Sequence, residues 1–410
     1  MWRTGSVHAR GESEYLDAAL ERLSHDARLR DRADAMLRAV ATQEPLFQEA
    51  LRTPQSPPFH CEGPFLEDHL RAMLVTIYGV AEEKLHLVDV EEFRRMKGYE
   101  GEVDELEETI KENLALVEAF VLCHDAGKWA ALSFTSEEGS EGRRLGFQME
   151  RMHDWHELGV SDRAKFRTRY LELYDAFAAE RAEEPPRFLE HEFFLAYGIR
   201  CHYPGHERLV HASVYHKLMH RVAAARRLND RDANLLEDLI ACHIDAGLSF
   251  TDRPDPAKVE RFVKIAADRE YDADDFLDLL QACLFLDMAC GSARRADGEI
   301  WHDPSSVLNF LKAEHDHAPW KRAEKEHVRE EERKRGRNRL FRTVGLDGVA
   351  LMDLLCMEPG PQFGEAMRRI QAAVLGEAAM PKLPKDIAGE IGARAQKFYE
   401  ASFEKGGSDE

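Results

Sequence analysis

Long apolar runs, paired cysteines and β-branched stretches are what this sequence lacks. No window reaches the roughly 18 to 20 consecutive apolar residues of a membrane helix, and the opening MWRTGSVHARGESEYL has no apolar signal core. The expectation is a cytoplasmic chain with no membrane contact. The seven cysteines are odd in number and include no CxxC pair, which speaks against a disulfide framework or zinc ribbon and for reduced thiols. Cys123, Cys242, Cys283 and Cys290 lie in apolar runs and read as packing residues. No G-x-x-x-x-G-K-[ST] loop is present to cradle a nucleotide triphosphate. Positive charge is scarce as well. Against 77 Asp and Glu stand 56 Lys and Arg, a formal charge of −21, which opposes wholesale binding to a phosphate backbone.

What is present is helical. Apolar residues recur at three-and-four spacing from Leu16, Ala19, Leu20 and Leu23 to the C-terminus, and no β-branched run bounded by turn signals makes a convincing strand. The expected fold class is all-α. Pro and Gly break the pattern at 53–58, 135–142, 183–186 and 252–256, which read as loops rather than linkers. The organisation expected is a helical extension over 1–55, a main bundle over 56–315 interrupted by an insertion around 133–187, and a charged helical region over 316–410. Ten Lys or Arg against five Glu lie between Lys321 and Arg342. That stretch reads as a solvated helix, and its basic end, Arg333 to Arg342, is the place for a local RNA contact. No feature names a protein partner.

Five His-Asp dipeptides occur, at His25, His124, His153, His302 and His315, so the dipeptide alone says little. Context separates His124-Asp125, because LALVEAFVLCHDAGKW puts it at the end of a nearly all-apolar helix. A buried unpaired carboxylate costs several kcal/mol, so Asp125 needs a cation, a metal or a strong set of hydrogen bonds. The same reasoning singles out Asp287 in FLDLLQACLFLDMAC, His243 in NLLEDLIACHIDAGL and His69 in GPFLEDHLRAML. Each alone reads as a satisfied core residue. Four such groups on four apolar helices read together as a metal site, because helices converging imidazoles and carboxylates are how dinuclear centres are built in bundles.

With these residues in order, the sequence resembles the HD superfamily of metal-dependent phosphohydrolases, whose pattern H…HD…H…H…D would fall on His69, His124-Asp125, His191, His243 and Asp287. It is most similar to the HD domains that accompany CCA-adding tRNA nucleotidyltransferases. His60-Cys61-Glu62-Gly63 resembles their H-x-E-G segment and HDAGK their HD-x-GK. RFLEHE resembles F-x-G-H-E, with Glu190 where the family has Gly. The likeness covers roughly 56–300. A nucleotidyltransferase head would need a Gly-Ser turn and paired aspartates on a strand, but only about 58 mostly helical residues precede His60, so a CCA-adding enzyme is not expected, and GYP is missing, which argues against that cyclic-di-GMP subtype.

The resemblance implies a phosphomonoesterase or phosphodiesterase acting on a nucleotide or on RNA phosphate termini through metal-activated water. One or two divalent ions are implied, of manganese, iron, nickel, cobalt or zinc. His69, His124, Asp125 and Asp287 would hold one, and His191 and His243 would complete a second position or bind phosphate. Asp125 would bridge or orient the water, and Lys128, Arg294 and Arg295 would neutralise phosphoryl oxygens. The same ligands would serve a diiron oxygenase, and an HD scaffold that senses a nucleotide without catalysis is the third reading. His60 and Glu62 read either as support for the site or as a structural turn. His153 and His156 read as loop or cap residues. His202, His206, His211, His216 and His220 read as pocket lining or surface, with His216 and His220 spaced to form a metal pair.

Overall fold

The computed structural model describes residues 14–55, 60, 62–147, 159–184, 189–294 and 300–406. They divide into two compact units, 1–317 and 318–410. The first begins with α1 (Leu16–Ser24), α2 (Ala27–Gln43), α3 (Pro45–Leu51) and α4 (Leu66–Ala81). After a short 3₁₀ turn come α5 (Glu91–Arg94), α6 (Glu100–Glu112) and α7 (Leu114–Cys123). Leu16, Leu20, Leu29, Leu37 and Phe47 share one apolar core with α4, α6 and α7. Residues 14–55 are thus part of the main bundle, not an appendage to it.

The chain then forms α8 (Lys128–Ala131), β1 (Ser133–Ser136), α9 (Glu141–Arg144), α10 (Val160–Glu180), α11 (Leu189–Tyr197) and β2 (Ile199–His202). β1 and β2 pair antiparallel, Ser133 opposite His202 and Ser136 opposite Ile199. This insertion builds its own aromatic core from Phe134, Phe147, Tyr170, Tyr174, Phe177 and Phe193. The main bundle resumes with α12 (Ser213–Ala225), α13 (Asp230–Ser249), α14 (Pro256–Asp268) and α15 (Ala273–Leu284). A hairpin of β3 (Ser292–Arg294) and β4 (Ile300–His302) follows. Both strand pairs have strands of three or four residues, too short for period-2 alternation to register in sequence, and the all-α class stands.

α16 (Ser305–Thr343) crosses the division between the units, with Pro319 inside it. The second unit adds α17 (Gly348–Leu355), α18 (Pro361–Val374) and α19 (Lys385–Gly406) around Phe341, Leu346, Leu351, Ile370, Ile391 and Phe398. Among the described residues no helix is long and apolar enough to cross a membrane.

Candidate metal centre

Most of the residues that matter sit where helices begin, end or deform. α4 opens on an acidic turn in which Asp68 Oδ2 accepts from the Phe65 amide at 3.2 Å, and His69 follows one residue later with its side chain fully buried. α7 runs apolar to Cys123, so the turn after it places His124 and Asp125 under the bundle core, each about 1% exposed. α15 does not end cleanly. It passes into a π turn over Phe285–Ala289 that carries Asp287, the kind of local widening that recurs at functional sites.

Here the side chains converge. Asp287 Oδ1 lies 3.3 Å from His69 Nε2 and 3.6 Å from His124 Nε2, while Asp125 Oδ2 lies 3.3 Å from His124 Nε2 and 4.0 Å from His69 Nε2. His69, His124, Asp125 and Asp287 form a buried cluster whose ligand atoms all fall within 4.8 Å of one another. Asp125 also joins a second group with His206 and His243; its Oδ1 is 2.9 Å from His206 Nε2. Lys128 Nζ stands 2.6 Å from Asp125 Oδ2.

The hydrogen bonds on the far side of each ring show what the near side offers. His124 donates Nδ1–H to the Val121 carbonyl at 3.1 Å, His243 to the Ile240 carbonyl at 2.6 Å and His206 to the Tyr203 carbonyl at 2.8 Å. His69 Nδ1 is 2.6 Å from Glu62 Oε1, which His60 Nδ1 also meets at 3.1 Å. An imidazole held this way presents its Nε2 lone pair, the arrangement of a metal ligand oriented from behind. Nε2 of His69, His124, His206 and His243, with Asp125 Oδ2, is buried and makes no well-directed hydrogen bond. Such atoms are rare in a folded interior. Glu62, Asp125 and Asp287 bring three negative charges and Lys128 one positive. That excess of negative charge in a buried site, facing imidazole nitrogens, favours a cation, so the residues present fit a metal.

The electrostatics agree. Burial alone would push Asp125, Asp287 and Glu62 up, but the facing histidines, and Lys128 for Asp125, hold all three well below the carboxylate range. Burial alone would also depress His124, yet the Asp125 and Asp287 carboxylates outweigh it and hold it at about 10. Burial wins at His243, which falls to about 4. Carboxylates that attract protons onto His124 would attract a metal ion to the same point, and its uptake would release protons. Four imidazoles with two carboxylates suit manganese, iron, cobalt, nickel or zinc.

His69, His124, Asp125, His243 and Asp287, expected from sequence, are therefore brought together. His191 is not among them. It is buried on α11 with its ring 6.2 Å from Phe194, and His206 stands in the position that the sequence order assigned to it. Two glycines explain why. Gly205 adopts φ +69°, a left-handed turn that starts the 3₁₀ segment His206–His211. A Cβ on Gly127 would lie 2.6 Å from the His206 carbonyl, so the glycine of HDAGK is what lets that segment reach Asp125. Lys128 is buried against the site and within 3.5 Å of His60 Nε2. For Arg294 the structure gives the backbone in β3 alone, while Arg295, Cys61, His153 and His156 lie outside the described residues. Compared with family models, curated proteins and solved structures, the chain gives no match.

Proposed function

We propose that the protein is a metal-dependent phosphohydrolase of the HD type, acting on a nucleotide or on a phosphate terminus of RNA. The observation that carries this reading is the set of buried Nε2 atoms without directed hydrogen bonds, aimed with Asp125 and Asp287 into two groups that share Asp125, beside Lys128. His69, His124, Asp125 and Asp287 would hold one divalent ion, and Asp125, His206 and His243 a second. A metal there supplies Lewis acidity toward a phosphoryl oxygen and makes water acidic enough to attack near neutral pH. Asp125, facing both groups of imidazoles, orients that water. Lys128 places an ammonium where charge develops on the phosphoryl group, and His60, between Lys128 and Glu62, steadies the lysine's position. The charge of −21 favours a small nucleotide over a long polyanion.

The test is phosphate release from a panel of nucleotides, 2′,3′-cyclic nucleotides and end-phosphorylated RNA. Chelator-stripped protein is resupplied with each metal in turn, beside Asp125→Ala. Metal-dependent release that the substitution abolishes supports the reading and identifies the substrate class. Metal bound without any release would overturn the reaction, and dioxygen uptake by an iron-loaded protein would replace it with an oxygenase. Failure to bind any metal would overturn the site itself.

A further inference from the structure

We infer that α12 and α13 carry a second, solvent-accessible site for a transition-metal ion, built from His216, His220 and Glu237. It is separate from the buried cluster and does not depend on what that cluster catalyses. His216 and His220 are four residues apart on α12 and so share one helix face; their rings lie 4.3 Å apart between centroids. Glu237, on α13, brings Oε2 to 3.4 Å from His216 Nδ1, and one donor atom from each of the three residues falls within 4.8 Å of the others.

The carboxylate is held in place from outside the group. His211 donates Nδ1–H to Glu237 Oε1 at 2.6 Å, leaving Oε2 turned toward the two imidazoles. This is the support that a metal ligand receives from an outer hydrogen-bond partner. Arg221, next to His220 in sequence, does not crowd the group with positive charge, because it is engaged by Glu44. The His216 side chain is 43% exposed, so three protein ligands leave coordination positions open to water. Two imidazoles and a carboxylate with open positions suit zinc, and also copper or nickel. An ion at this point would clip α12 to α13 and, through His211, to the end of the 3₁₀ segment that begins at His206. α13 carries His243 fewer than two turns beyond Glu237. The surface ion would therefore brace the two elements that deliver His206 and His243 to the buried cluster.

The experiment uses full-length, untagged protein, stripped with a chelator and titrated with zinc against a chromophoric competitor. Wild type is compared with the His216→Ala/His220→Ala double variant and with Glu237→Gln, a variant that keeps the side-chain shape. The double variant is expected to bind one zinc equivalent fewer than wild type while its circular dichroism without metal is unchanged. Glu237→Gln is expected to weaken the same equivalent, and His211→Ala to weaken it about tenfold. Equal zinc stoichiometry and affinity in wild type and the double variant would overturn the proposal. So would a Glu237→Gln protein that binds that equivalent as tightly as wild type. If the buried cluster binds no zinc, the expected difference of one equivalent between wild type and the double variant is unaffected.

Discussion

Glu62 meets His69 on the Nδ1 side of the ring, away from the His69, His124, Asp125 and Asp287 group, and replacing it with Gln gives the cleanest test of how the candidate site is organised. Its Oε1 accepts from His69 at 2.6 Å and from His60 at 3.1 Å. A glutamine oxygen can accept the same bonds but lacks the charge that makes the His69 imidazole a better donor to a metal. Losing such an outer partner typically lowers metal affinity by about 10- to 100-fold, which is about 1.4 to 2.7 kcal/mol. The assay is thermal or urea unfolding with and without metal. At a metal concentration about 100 times the wild-type Kd, the folded wild-type chain gains about 2.7 kcal/mol. At the same concentration the variant sits at about 1 to 10 times its own Kd and gains only about 0.4 to 1.4 kcal/mol. A variant stabilised as much as wild type would refute the role given to Glu62. A wild type stabilised by none of manganese, iron, cobalt, nickel and zinc would refute the metal site.

Three further outcomes follow from other parts of the chain. His206→Ala should lower bound metal or its affinity in equilibrium dialysis while His191→Ala leaves both near wild type, because His206 Nε2 stands 2.9 Å from Asp125 and His191 is in none of the clustered groups; the reverse result would restore His191 as the ligand. Glu118 is fully buried in α7 with Arg226 bonded to Oε2 and Arg32 3.8 Å from Oε1, so Arg226→Ala, which leaves that charge only the longer contact to Arg32, should cost about 3 kcal/mol in urea unfolding, the low end for breaking a buried pair. Glu118→Gln should cost less, and equal costs would show that the under-compensated charge is not the cause. Burial, then Asp278 beside it, pushes Glu314 up to about 8, and burial with Glu105 pushes Asp278 up to about 7. Both lie above an unfolded carboxyl, so the folded chain binds more protons and this stability is lost as pH rises through about 7 to 8. Glu314→Gln should therefore gain about 1 kcal/mol on wild type between pH 6 and pH 9, a figure kept small because the side chain is partly exposed; an unchanged difference across that range would refute the coupling.

The sequence makes the fold class and most of the candidate ligand set legible through one rule, that a charge inside an apolar helix must be neutralised. The rule does not say by what. Asp125 and Glu118 belong to the same apolar stretch, yet Glu118 is answered by Arg226, 108 residues away in sequence, and Asp125 by imidazoles and Lys128. Only the identity of the partner divides a structural ion pair from a ligand, and that partner is set by tertiary packing. Two of the other His-Asp dipeptides illustrate the same limit from the opposite side. Asp26 accepts from the amides of Arg28 and Leu29 at the start of α2, and Asp303 from Ser305 at the start of α16. In both, the aspartate caps a helix, a job the dipeptide does as readily as binding metal. His206 was hidden for a further reason. Periodicity places residues along regular α-helices, whereas His206 opens a 3₁₀ segment just after a left-handed glycine. Such positions depend on backbone departures from the regular helix. The close approach at Gly127 is what selects His206 over His191, since a side chain there would hold the 206–211 segment away from Asp125. An order of histidines along the chain cannot register that contact, but a glycine directly after the His-Asp-Ala turn, paired with a Pro-Gly-His turn downstream, is the sequence trace it leaves.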